Sequence, residues 1–135
     1  MKNTSIRFIL GIVAGLIAGV SAIMAFETVS HSLFTLPEGM DPMAPETGKY
    51  VMDNAPIFAI FMIPLGWIAG AFLASLTASL VCKSRARMYF FIFAGLITAA
   101  SVFNLINIPS PWWMWAMALL FIFPASLLGS RLANR

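Results

Sequence analysis

The sequence contains few groups able to carry covalent or ionic chemistry. Cys82 is the single cysteine among 135 residues, so the chain forms no internal disulfide and has no C-x-x-C redox pair. Only 10% of the residues are charged, whereas 61% are hydrophobic. A water-soluble domain of this length does not bury so large an apolar fraction. These shortages exclude dithiol redox chemistry within the chain and indicate a membrane protein.

What the sequence has instead is four long apolar stretches, at residues 8–26, 56–81, 88–106 and 112–130. A helix of the shortest stretch would reach about 28 Å at 1.5 Å per residue, enough to cross the hydrocarbon core. The first stretch follows Lys2 and Arg7 and also resembles a signal peptide, but its length and glycine content favour a membrane span. We therefore predict an all-α membrane protein, with a single four-helix transmembrane domain over residues 1–135.

The segment at residues 27–55, between the first two spans, is polar and acidic. Prolines and glycines recur along it and favour turns over long helices. Residues 44–54 nevertheless predict a short helix, with Pro45 in its first turn and Pro56 beyond its end. The sequence thus predicts one structured loop outside the membrane.

The charges divide sharply between the two sides of the predicted membrane. One side holds seven basic residues and no acid: Lys2, Arg7, Lys83, Arg85, Arg87, Arg131 and Arg135. The other side holds five acids with Lys49: Glu27, Glu38, Asp41, Glu46 and Asp53. The positive-inside rule then places both termini in the cytoplasm. We predict the inner (plasma) membrane as the location of the protein. Because the basic residues flank apolar spans and form no stripe, we expect membrane lipids and not nucleic acid as partners.

Small residues four apart on two spans predict close helix packing. Gly11, Gly15 and Gly19 share one face of the first span, and Gly66 and Gly70 share one face of the second. Such faces let two helix backbones approach in a membrane. We expect the first span to pack on the second within one chain, and the alternative is a homo-oligomer seam.

Two prolines interrupt the interior of spans. Pro64 and Pro124 each remove a backbone hydrogen bond, which frees the carbonyls of Ile60 and Leu120 and predicts a kink. A transporter uses such kinks as hinges, although many are only structural. Trp67 lies too deep for the interfacial aromatic belt, so we expect it to face protein, where its indole N–H needs a partner.

The best candidate for a binding site lies at the outer boundary. Glu27 and His31 are four residues apart and share a face if the first helix continues past the membrane. The third span runs outward, which brings Asn104 and Asn107 to the same level. Together they predict a polar cluster for a headgroup, or for a metal with His31 as one ligand. The alternative is a set of solvated helix ends.

The sequence carries no catalytic signature. It has no glycine-rich phosphate loop, zinc-ligand spacing or nucleophile elbow, so we predict no cofactor. Met40 and Met43 supply two thioethers of the kind that hold Cu(I), a weaker metal hypothesis. In size the chain is similar to the small multidrug-resistance transporters, but these carry a glutamate inside the first helix. Here no span interior holds an Asp, Glu, Lys, Arg or His, which argues against that family and against proton coupling.

Three sequence runs carry a resemblance to a known class: His31-Ser-Leu-Phe-Thr-Leu-Pro-Glu-Gly-Met-Asp41, Trp67-Ile-Ala-Gly70-Ala and Asn107-Ile-Pro-Ser-Pro-Trp112. The chain resembles a widespread class of small, uncharacterised bacterial four-helix membrane proteins. The resemblance implies this topology and carries over no activity. We expect an accessory, scaffold or lipid-binding subunit of a larger membrane assembly. The alternatives are a small oligomeric transporter or channel and, more weakly, an enzyme or metal-binding protein that uses the outer polar cluster.

Overall fold

The computed structural model describes residues 2–41, 44–108 and 110–134. Throughout these ranges the regular structure is helical and contains no strand. The helices are α1 (Lys2–Leu33), α2 (Pro45–Asn54), α3 (Ile57–Val81), α4 (Ala86–Asn107) and α5 (Trp112–Leu132), with a short 3-10 turn at Lys83–Arg85.

Four of these helices, α1, α3, α4 and α5, are long and apolar enough to cross a membrane. This confirms the predicted all-α architecture, with four helices of the length and hydropathy that a membrane span requires; they are called the membrane helices below. The short helix α2 lies between the first two of them and is too short and too polar to cross.

The largest difference from the predicted boundaries is in the first helix. We expected a span at residues 8–26, but α1 extends from Lys2 to Leu33. No proline or glycine lies between Gly19 and Pro37, so nothing breaks the helix where its apolar run ends at Glu27. The first part of the predicted outer loop is therefore helical.

Helix α3 lies at the centre of the bundle and packs on each of the other three membrane helices, most extensively on α1. Its small residues make this possible, since Ala71, Ala74 and Ala78 are all buried. Gly129 of α5 approaches α3 so closely that an added Cβ would overlap the Phe72 carbonyl oxygen. Close approach of backbones is how helices associate in a membrane, where burial of apolar surface gives no driving force.

The predicted glycine face of α1 lies against α3 of the same chain. A Cβ atom built on Gly19 would lie 3.0 Å from the Ala74 Cβ and 3.1 Å from the Gly70 carbonyl oxygen. On the facing helix, a Cβ on Gly70 would lie 2.8 Å from Ile23 Cγ1, and one on Gly66 would lie 2.9 Å from Phe26 Cβ. These glycines therefore serve a contact within the chain.

Two aromatic side chains of α4 also use this face. A Cβ on Gly11 would overlap the Tyr89 hydroxyl, and one on Gly15 would lie 2.6 Å from Phe93 Cζ. Tyr89 stacks on Phe8 with ring centroids 5.3 Å apart and donates a 2.9 Å hydrogen bond to the Phe8 carbonyl oxygen. The rings of α4 thus fill the space that the glycines leave.

The two prolines lie within unbroken helices. Pro64 is buried in α3, and Pro124 is exposed on α5. No described side chain donates a hydrogen bond to the Ile60 or Leu120 carbonyl. The kinks remain predictions.

Candidate functional site

A cavity of about 450 Å³ opens at the end of the bundle that carries the acidic residues. It lies where α1, α3 and α4 end or begin and where α5 starts, and α2 covers it. All five helices contribute to its lining. A ligand at this position would lie at the boundary of the membrane, since the apolar part of α1 ends at Glu27.

The floor of the cavity is apolar. Ile63 and Trp67 come from α3, Leu105 from α4 and Met114 from α5. Leu105 and Met114 are among the buried core residues. This surface suits a hydrocarbon chain or another apolar group.

Trp67 adds one polar group to this floor. The side chain is only 6% exposed, as expected for a residue that faces protein. No described residue accepts a hydrogen bond from its indole N–H. The indole nitrogen is not among the fully buried polar atoms that lack a partner, so it remains able to donate to a ligand that supplies an acceptor.

The rim holds three of the four residues predicted for the polar cluster. Glu27 and His31 lie one turn apart on α1, and Asn104 lies on α4. All three side chains are exposed. Among the described residues neither Glu27 nor His31 has an ion pair or hydrogen bond through its side chain, whereas Asn104 Nδ2 donates to the Ala100 carbonyl oxygen at 3.0 Å.

Asn107 is not part of the cavity lining. It is exposed near the end of α4, and its Nδ2 donates to the Phe103 carbonyl oxygen at 2.7 Å. Its amide therefore satisfies a backbone acceptor of its own helix. The structure brings together Glu27, His31 and Asn104 around the cavity, without Asn107.

A third protein ligand for a metal is not found beside His31 and Glu27. Within residues 2–41, 44–108 and 110–134, no three His, Cys, Asp or Glu side chains are grouped as a metal site would require. Met43 lies outside the described residues, so the thioether pair with Met40 stays a prediction.

Ser30 links α1 to α3 by a hydrogen bond beside the cavity. It is buried, and its Oγ donates a 2.6 Å hydrogen bond to the Ala59 carbonyl oxygen. This carbonyl lies one residue before that of Ile60, which Pro64 leaves without its helical donor. The bond therefore joins α1 to α3 and does not satisfy the freed carbonyl.

Helix α2 covers the cavity with one face. Thr47, Gly48, Val51 and Met52 line it at the spacing of a helix face. The charged residues of α2, Glu46, Lys49 and Asp53, are exposed. The sequence analysis missed this role, although the spacing of these apolar and small residues is the signal that predicts it.

Few contacts hold α2 in place. The Thr47 hydroxyl donates to the Asp41 carbonyl oxygen, and the Tyr50 ring lies 6.0 Å from Phe34. A Cβ on Gly48 would lie 3.1 Å from Ile108 Cγ1, so α2 also rests on the residue that follows α4. Helix α2 is therefore joined to the membrane helices by few contacts.

Comparison of the chain with family models, with curated proteins and with solved structures finds no match.

Proposed function

We propose that this protein is a lipid-binding subunit or scaffold of a larger membrane assembly, and that it holds an amphipathic ligand in the cavity that α2 covers (the outer cavity). The observation that carries the proposal is the combination of an apolar floor and a polar rim under the cover of α2. We further propose that both termini lie in the cytoplasm and that the membrane is the inner (plasma) membrane.

The polar groups of the cavity would decide which ligand binds. A lipid that enters from the bilayer gains little from apolar contact, because its chains already lie in an apolar medium. Selectivity then depends on hydrogen bonds. Trp67 offers a donor at the floor, and Glu27 offers an acceptor at the rim. The ligand we propose has a carbonyl or ether oxygen near its chain and a hydrogen-bond donor in its head.

The orientation rests on the division of charge described above. Among the described residues, six basic residues lie at one end of the four membrane helices: Lys2, Arg7, Lys83, Arg85, Arg87 and Arg131. The acids lie toward the other end, in the last part of α1 and in the segment that joins α1 to α3. A reporter fused after Arg135 that is active only in the cytoplasm should therefore be active. Activity of a periplasmic reporter at the same position would contradict the proposed orientation.

The ligand can be tested by closing the cavity. Val51 lines it from α2, and Lys49 lies on the exposed side of the same helix. Val51→Trp fills the cavity, whereas Lys49→Trp adds the same side chain outside it. After purification in mild nonionic detergent, native mass spectrometry should find one more lipid retained by the wild type and by Lys49→Trp than by Val51→Trp.

Retention of that lipid by Val51→Trp would contradict the proposal, provided that circular dichroism finds the helices intact. Loss from both variants would also contradict it, because the effect would not depend on the cavity. A larger native complex that contains the wild-type chain, identified by the proteins that co-purify with it, would test the role as a subunit.

A small oligomeric transporter or channel is a second candidate, and the position of Pro64 favours it. This proline follows Ile63 and precedes Trp67, which both line the cavity. A hinge there would change the shape of the cavity. Flux through liposomes that is lost in Pro64→Ala would support transport, and equal flux in the two proteins would contradict the hinge.

A further inference from the structure

A second cavity, of about 480 Å³, lies at the opposite end of the bundle, between the start of α4 and the end of α5. Arg87 contributes to it from α4 and Arg131 from α5. Both side chains are exposed. The cavity shares no lining residue with the outer cavity, so it is a separate site.

The two arginines of this cavity have no partner for their charge. No described residue forms an ion pair or side-chain hydrogen bond with Arg87 or Arg131. Two neighbouring arginines differ: Arg7 donates to the Val81 carbonyl oxygen at 3.0 Å, and Arg85 lies 6.0 Å from the centre of the Phe8 ring. Every Asp and Glu falls between residues 27 and 53, so no acidic side chain is available at this end.

The other polar residues of this cavity are already bonded to α5. Ser130 Oγ donates to the Leu127 carbonyl oxygen at 2.9 Å, and Asn134 Nδ2 donates to the Ser130 carbonyl oxygen at 3.0 Å. The guanidinium groups of Arg87 and Arg131 are therefore the donors that remain for a ligand. Guanidinium groups bind phosphate through paired charge-assisted hydrogen bonds.

The remaining lining is apolar. Phe90 and Phe91 come from the first turns of α4 and Leu127 from α5. Phe91 is 59% exposed, and its ring lies 4.7 Å from that of Phe90. An apolar wall below two cations is the surface that a phospholipid requires, with the phosphate at the arginines and a chain along the rings.

We propose that this cavity binds the phosphate of an anionic glycerophospholipid between Arg87 and Arg131, with an acyl chain on Phe90 and Phe91. An anionic head such as that of phosphatidylglycerol fits better than a choline head. The choline cation would find no acid here, and its charge would be repelled by the arginines. The site requires only that α4 and α5 cross the membrane, and it is independent of the function proposed for the outer cavity.

Titration of the detergent-solubilised full chain with single lipids tests this site. Native mass spectrometry should find phosphatidylglycerol bound at least about tenfold more tightly than phosphatidylcholine of the same chains. Arg87→Gln should weaken phosphatidylglycerol binding by about tenfold, which is about 1.4 kcal/mol. Lys83→Gln is the matched control, because it removes one positive charge at the same end outside the cavity.

Binding in Lys83→Gln should change by less than about threefold, since an exposed charge away from the ligand is screened. Equal losses in Arg87→Gln and Lys83→Gln would overturn the proposal in favour of a general charge effect. Equal affinity of the wild type for the two lipids would also overturn it, whether or not the variants fold. Displacement of the lipid by millimolar sodium phosphate would instead indicate a site for free phosphate and would overturn the lipid assignment.

Discussion

Substitution of Gly15 by alanine should destabilise the protein, whereas the same substitution at Gly95 should not. Both glycines lie inside membrane helices. A Cβ on Gly15 would lie 2.7 Å from the Ala74 carbonyl oxygen as well as against the Phe93 ring, but a Cβ on Gly95 would meet no atom within 4 Å. The two sites therefore differ in the space that they offer and in little else.

The expected magnitudes have opposite signs. Alanine in place of a helical glycine gains about 0.5–1 kcal/mol from reduced backbone freedom, which applies at both sites. At Gly15 the backbone of α3 cannot rotate away and the Phe93 ring is 1% exposed, so α1 must move outward. Overpacking of this kind costs about 1–3 kcal/mol. We expect a net loss of about 1–2 kcal/mol in Gly15→Ala, from these two contributions, and a gain of up to about 1 kcal/mol in Gly95→Ala.

Unfolding by SDS in mixed micelles, followed by tryptophan fluorescence, measures both variants. Changes of the same sign and size in Gly15→Ala and Gly95→Ala would refute the reasoning. Repetition at several protein-to-detergent ratios separates contacts within the chain from contacts between chains. If the loss in Gly15→Ala depends on that ratio, this face of α1 is a homo-oligomer seam.

Three further substitutions and one labelling experiment test the interior of the bundle. Ser75 Oγ is buried without a hydrogen-bond partner among the described residues, so Ser75→Ala should leave the free energy of unfolding unchanged or raise it. Ser126→Ala should lower it by about 1 kcal/mol because it removes the bond to α4, and an equal effect of these two variants in SDS unfolding would contradict this account. Tyr89→Phe should also cost about 1 kcal/mol through its lost bond to α1, and no change would show that ring packing alone holds this contact. Cys82 is 3% exposed and should react with maleimide only on unfolding, so rapid labelling of the folded protein would contradict its burial.

The membrane helices could be predicted because each depends on a local property of the sequence, an uncharged apolar run. An apolar run of 19 residues or more without charge is sufficient to predict a span, and Pro56 and Pro111 fix where α3 and α5 begin. The end of α1 was harder to predict. The apolar run stops at Glu27, but the helix stops only at Leu33, because hydropathy and helix propensity change at different residues.

The packing could be predicted only in part. The spacing of Gly11, Gly15 and Gly19 indicates a face that a neighbour approaches closely, but it does not indicate which side chains enter. Tyr89 and Phe93 come from a helix more than seventy residues away in sequence. Nothing in the pattern of α1 identifies them.

The candidate site could also be predicted only in part, because it depends on contacts between residues that are distant in sequence. Asn104 and Asn107 have the same chemistry and lie within one turn of each other, so sequence alone assigned both to the polar cluster. Only Asn104 lies on the side of α4 that faces the cavity. The cavity itself depends on where α2 rests, and that position follows from contacts between distant residues such as Gly48 and Ile108.

The central position of α3 has a consequence for the biogenesis of the protein. During synthesis α1 enters the membrane before α3, its main packing partner, has been made. The glycine face of α1 therefore has no partner within the chain until α3 has been inserted. The pair α1 and α3 is then the first unit able to fold. The outer cavity is not yet complete at that stage, because Leu105 of α4 and Met114 of α5 have not yet been inserted into the membrane. A nascent chain arrested before α4 would contain the packed pair of α1 and α3 but no complete cavity. A ligand can therefore bind only after α4 and α5 have been inserted.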